Sequence, residues 1–293
     1  MSDVIEIGVT SDVGRLREVV VGIVKPATDA DFRRVIRPSA AHDRLAAHNR
    51  MERQDATVAT AQFAVFVDLL RSFGVVVHTV EDVPDVPLQL YPRDLAVVVD
   101  DVLVRTRSRE AWRRAEQAGM RHVYDRVRRV LTLSAGTIEG GDVIVTGSDV
   151  LVGLGEETDE QGVAALREAL AGAGIEREVV PIEFAHGGVM HLDTKFTMVS
   201  PTVGIFSPSA FTPASRKELE KRFDLIEATA AEARDVQVNT VALGPDTIVV
   251  SESAHRLAGL LEDRGITPIP IDVSEITRLP GSFRCATMPL VRT

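Results

Sequence analysis

LAVVVDDVLVRT (95–106), DVIVTGSDVLVG (142–153), FTMVSPTVGIFS (196–207) and TVALGPDTIVVS (240–251) are four versions of one pattern. Each has a short apolar run, a polar or Gly/Pro turn and a second apolar run, which predicts a β-hairpin. The starts lie 47, 54 and 44 residues apart, room for a hairpin, a helix and a third strand. Helical patterning follows the hairpins at 109–119, 160–174, 215–233 and 253–265. Short apolar segments such as EVVPIEF (178–184) and TPIPIDV (267–273) come next. The N-terminal part supplies a fifth unit: a strand at 16–24, an amphipathic helix at 57–74 and a returning strand at 75–80. Five such units predict an α/β fold with radial repetition, a five-bladed propeller. The competing arrangement is a doubly wound α/β sheet, the usual source of strand–helix alternation. No GxGxxG or GxxxxGK[ST] follows a strand, so nothing points to a nucleotide-binding sheet.

The chain has 293 residues, read as one catalytic domain over 1–293. Its net charge of -10 argues against a nucleic-acid partner, because little would neutralise phosphates. No apolar stretch reaches the roughly 18 residues that span a bilayer, and MSDVIEIGVTSDVG (1–14) lacks the pattern of a signal peptide. A single cysteine excludes an internal disulfide and a thiolate-rich metal site. The expected location is the cytoplasm.

Polar residues recur just before each hairpin: Asp94 in YPRD, Glu139 and Asp142 in IEGGD, His191 and Asp193 in HLD, and Asn239 in VQVN. In a radial repeat, equivalent positions converge on the axis, so these side chains are expected to share a central cavity. Gathered carboxylates repel one another unless a cation sits among them. Planar bidentate pairing makes a guanidinium the matching ligand. Residues two apart on a strand face the same side, which sends His191 and Asp193 into the cavity together. His186 is read as a loop residue. Cys285, in PGSFRCATMPL, follows Arg284, and neighbouring cations lower a thiol pKa. Cysteine, histidine and an acid make the set for nucleophilic catalysis with a general acid/base.

The segments PRD (92–94), EGGD (139–142), HLDTKFTM (191–198), NTVALGP (239–245) and RCATMP (284–289), in this order, resemble the guanidino-group modifying enzymes of the pentein fold. These are the arginine deiminases, dimethylarginine dimethylaminohydrolases and amidinotransferases. The resemblance covers most of the chain after residue 90 and implies a five-bladed α/β propeller. It implies Cys285 as nucleophile, His191 as general acid/base and Glu139 as the acid that orients histidine or substrate. Asp94 and Asp193 would grip the guanidinium nitrogens. It implies no metal or organic cofactor, since the substrate's own charge makes its carbon electrophilic. For a substrate carboxylate, Arg107 is the preferred clamp among Arg105, Arg107 and Arg109, and Arg284 is a further candidate. The chain is too short for the helical insertion of the deiminases, yet its HLDT-F pattern is theirs. The dimethylarginine enzymes commonly have lysine where Asp193 stands. Two acids suit unsubstituted guanidinium nitrogens, which implies a hydrolase of arginine or another free guanidino compound. Transfer of the amidino group to an amine is the alternative, and a homodimer is left open.

Overall fold

A computed structural model describes residues 4–293 except 27, 36–43, 45 and 48, so the first three residues of the N-terminal stretch lie outside the described residues. Among the described residues, fifteen strands form five three-stranded sheets. The four predicted hairpins are β3 (Ala96–Val99) with β4 (Val102–Arg105), β6 (Val143–Val145) with β7 (Asp149–Leu154), β9 (Phe196–Met198) with β10 (Val203–Phe206), and β12 (Val241–Gly244) with β13 (Thr247–Ser251). Each pair is antiparallel, and a third strand then adds in parallel to the second: β5 (Val130–Thr132), β8 (Glu178–Glu183), β11 (Asp224–Glu227) and β14 (Thr267–Ile271). A parallel return needs a crossover, and helices supply it at Ala111–Glu116, Glu160–Gly172, Pro213–Glu220 and His255–Glu262.

The fifth sheet is completed differently from the simple N-terminal unit read in the sequence. β1 (Leu16–Val21) and β2 (Val76–Thr79) run parallel, joined through the helix Ala56–Ser72. The antiparallel partner of β1 is the C-terminal strand β15 (Thr287–Arg292), with Val21 opposite Thr287 and Val20 opposite Met288. The two ends of the chain thus share one blade. This puts Cys285 just ahead of an inner strand, the place that Asp94, Asp142, Asp193 and Asn239 hold in the other four. The helix expected over 215–233 is also corrected: DLIE forms β11, and helix resumes only at Ala230–Arg234. In 109–119 the helix covers Ala111–Glu116 and tightens to a 3₁₀ turn at Gln117–Met120.

Five apolar clusters lie between neighbouring sheets and close a ring. Val97, Val99, Val143 and Val145 pack together between the second and third sheets. Ala96 and Val98, on the other face of the same strand, pack with Met288 and Leu290 of β15. Val19 and Val21 meet Val241 and Val249 across the seam between the sheet of β1 and that of β12 and β13. Each inner strand is therefore apolar on both faces, which is why it reads as a continuous valine run rather than an alternation. Inner strands β3, β6, β9 and β12 are buried throughout, whereas β2 and β5 are partly exposed. Among the described residues no helix is long and apolar enough to cross a membrane.

Candidate active site

Short 3₁₀ turns lead into three of the inner strands: Pro92–Asp94, Gly140–Asp142 and Leu192–Thr194. They point Asp94, Glu139, Asp142, His191 and Asp193 into the buried end of the ring, each at most 3% exposed. Two glycines permit the approach. A Cβ on Gly140 would stand 2.0 Å from the Arg93 carbonyl oxygen, and one on Gly141 would lie 2.7 Å from both Asp94 Oδ1 and His191 Cγ. Neither residue has positive φ, so the requirement is space rather than backbone conformation. Gly141→Ala is expected to push Asp94 and His191 apart and reduce kcat/KM by about 100-fold, the scale of a displacement near 1 Å at a reacting centre. Steady-state kinetics of the variant check this; an unchanged kcat/KM would show that the contact is not needed.

His191 and Glu139 form the first half of the site. His191 Nε2 lies 2.9 Å from Glu139 Oε2, and Nδ1 lies 3.6 Å from Asp94 Oδ1. Ser108 Oγ donates to Glu139 Oε1. Burial alone would depress the His191 pKa, but Asp94, Glu139 and Asp142 surround it with negative charge and hold it well above the usual value. The imidazole is therefore protonated at neutral pH, the state of a general acid. Burial would raise Glu139, yet Arg113, His191 and Ser108 override it and hold the carboxyl at about 2. Asp142 accepts from Thr158 Oγ1 at 2.6 Å and from the Leu192 amide at 2.8 Å, so it braces the turn that carries His191. Burial pushes it up to about 7.

Arg113 was not among the residues singled out in the sequence. Its guanidinium lies across the carboxylates, with Nη2 2.8 Å from Asp94, Nη1 3.1 Å from Glu139 and Nε 3.3 Å from Glu116. In REAWRRAEQAG it reads as one of several solvated helix charges. The signal available was its i, i+3 spacing from Glu116, which is common on helix surfaces. Burial raises Glu116 to about 8 in spite of that partner. Donor atoms of Asp94, Glu139 and His191 fall within 4.8 Å of one another, a spacing that would also suit an ion. Here the cationic charge between the two carboxylates belongs to Arg113.

Cys285 forms the second half. Its Sγ lies 3.6 and 3.5 Å from Asp193 Oδ1 and Oδ2. Asn239 Oδ1 accepts from the amides of Ser282 and Cys285, each at 3.1 Å, and its Nδ2 donates to the Asp193 carbonyl at 3.0 Å. One side chain thus ties the cysteine turn to the turn bearing Asp193. Arg284 lowers the thiol pKa as expected, but it does not set the net direction. Burial, then the charges of Asp193 and Asp94, raise it well above the usual value, and Arg284 offsets this only in part. Arg284 also corrects the carboxylate-clamp expectation. Nη1 binds Asp193 at 2.8 Å, while Nη2 binds Asp12 and the Val143 carbonyl, both at 2.7 Å. It holds Asp193 in place and is 3% exposed.

The remaining arginines lie away from this cluster. Arg107 is exposed and donates to the Ser134 carbonyl at 3.4 Å, so the structure does not bring it to the carboxylates. Arg109 is exposed, and Arg105 stacks over the Tyr124 ring at 4.7 Å. His186 is exposed, in the loop after β8.

The family model for arginine deiminase matches residues 74–217 and 209–292. YkgA of Bacillus subtilis (strain 168), itself uncharacterized, is 33% identical over 235 residues, 80% of each chain. N(G),N(G)-dimethylarginine dimethylaminohydrolase of Streptomyces coelicolor is 29% identical over 249 residues, 84% of this chain and 91% of its own. In three dimensions the chain is similar to SxtG, an amidinotransferase from Microseira wollei in the saxitoxin biosynthetic pathway. The TM-score is 0.78 at 17% identity over 98% of this chain and 97% of the other, a likeness of fold. The family match spans well over half of the molecule and the blades are those of that fold: the chain belongs to the arginine deiminase family and has the five-bladed α/β pentein architecture of the guanidino-modifying enzymes.

Proposed function

We propose that this chain hydrolyses the guanidinium group of arginine or another free guanidino compound through a covalent intermediate on Cys285. The observation that carries the reading is the guanidinium of Arg113 lying across Asp94 and Glu139, a placement of carboxylates that suits a planar cation. The match to the arginine deiminase family and the likeness to a dimethylarginine dimethylaminohydrolase support hydrolysis of a guanidino group. A substrate guanidinium reaches Asp94 only when Arg113 gives way, so entry is an exchange of one guanidinium for another.

In the free enzyme burial and the nearby carboxylates keep the Cys285 thiol neutral, and the carboxylates around His191 keep it protonated. A cation bound next to Asp193 and Asp94 cancels the charges that oppose ionisation, so the substrate itself favours the thiolate, and the thiol proton is released to solvent while His191 keeps its own. Sγ then bonds to the guanidinium carbon. The C–N bond to the leaving nitrogen breaks with its electron pair, and His191 gives that nitrogen a proton. The product of this half is an S-alkylthiouronium on Cys285, an amidino carbon that still carries the rest of the substrate. Neutral His191, oriented by Glu139, next removes a proton from water. The oxygen adds to the same carbon, the C–S bond breaks and a ureido product leaves.

Two assays test this. Arginine, its methylated forms, agmatine and guanidino acids are incubated with the protein, and ureido product and released ammonia or amine are measured. Product from at least one free guanidino compound is expected. Product that forms only with an added amine acceptor would replace hydrolysis with amidino transfer. The second assay reads the thiol. A neutral alkylating agent should react slowly at pH 7, its rate climbing about tenfold per pH unit. A cationic amidine reagent should react about 100-fold faster at pH 7, the gain from lowering the thiol pKa by about two units. Equal rates for the two reagents would contradict assistance by the cation.

A further inference from the structure

Beside Arg284 lies a small cavity of about 10 Å³ lined by Asp12, Arg93, Thr240, Arg284 and Arg292 together with apolar side chains. That is room for one water-sized particle. We propose that this cavity binds a single small monovalent anion, a halide such as chloride. Three buried guanidinium groups meet here, and the carboxylates that face them are Asp12 and, on the far side of Arg284, Asp193. One positive charge is left over, and an uncompensated buried charge is costly. Asp12 sits 2.7 Å from Arg284 but 3.8 Å from Arg93, and Arg292 has no carboxylate within 4.0 Å among the described residues, so Arg93 and Arg292 are the poorly matched cations.

Hydrogen bonding points to the same place. Thr240 Oγ1 and Arg292 Nε are buried donors without a partner among the described residues, and both residues line the cavity. Thr240 is 1% exposed and Arg292 4%. Arg292 spends Nη1 on the carbonyls of Gly14 and Ala242 at 2.7 and 2.9 Å, which leaves Nε for a ligand. Water would satisfy the donors and leave the charge; a halide does both. Burial, with repulsion from Arg284, lowers Arg93 to about 9 and Arg292 to about 10, so both stay charged at neutral pH. The site bears on the reaction through Arg284, which connects it to Asp193 and so to Cys285.

Crystals grown with sodium bromide and measured at the bromine absorption edge test the proposal. An anomalous difference peak is expected in the cavity beside Arg93, Arg292 and Thr240. In solution, bromide or chloride at about ten times its dissociation constant should raise the Tm by about 3 °C over gluconate at matched ionic strength. Thr240→Val, nearly isosteric, should lose most of that difference. Absence of the peak, or equal Tm values in bromide and gluconate for the unmodified protein, would mean that only water occupies the cavity.

Discussion

Cys285→Ser is expected to lower turnover of guanidino substrates by at least about 10⁴-fold while the Tm stays within a few degrees. A serine hydroxyl has no accessible alkoxide beside two carboxylates, so the covalent half-reaction loses its nucleophile. The fold should tolerate the exchange because Oγ can donate to Asp193, against which Sγ now lies at 3.5 Å. Substrate binding is a separate readout: KM or a direct binding constant should change little, since Asp94 and Asp193 remain. Turnover within about tenfold of the parent would remove Cys285 from the chemistry.

The second large effect concerns stability. Arg113 is paired with three carboxylates at 2.8–3.3 Å and its side chain is 9% exposed. Arg113→Met removes that charge and leaves Asp94, Glu139 and Glu116 buried with His191 as their remaining close cation. The expected destabilisation is about 3–5 kcal/mol, the usual result of breaking a buried pair from one side. For a chain of this size that is a fall in Tm of about 10 °C, measurable by calorimetry. The pH dependence has a definite sign. The parent's Glu139 titrates at about 2, below its ordinary 4.5, so its contribution is present above pH 4.5 and is lost as pH falls towards 2. The Glu139 part of the variant's deficit should therefore be full above pH 4.5 and shrink below it. A Tm equal to the parent's at pH 7 would show that Arg113 does not hold the carboxylates.

The fold was legible where one feature repeats locally. Valine runs broken by DD, TGSD, SPT or GPD are hairpins because an inner strand of a propeller is apolar on both faces. Closure of the ring was harder to read, because Leu16 pairs with Arg292 and no local pattern records a partnership across the whole chain. DLIE was absorbed into a helix since its outer strand is short and half exposed, with charged ends that fit a helix surface equally well. The site was legible through position: Asp94, Glu139, His191, Asp193 and Cys285 all precede inner strands. What position does not record is direction. Arg284 is next to Cys285 in sequence, yet its guanidinium reaches to Asp12 and Asp193, and the thiol is left under the influence of the acids. Arg113 went unnoticed because a buried arginine and a surface arginine look alike in a helix of alternating charge.

Rapid quenching of the enzyme during turnover of arginine, followed by intact-protein and peptide mass spectrometry, tests the central claim most directly. The account predicts an adduct on the peptide carrying Cys285 whose added mass equals the substrate minus ammonia, abolished by Cys285→Ser. Turnover without any adduct on Cys285, or an adduct with only the bare amidino group, would contradict hydrolysis by this route.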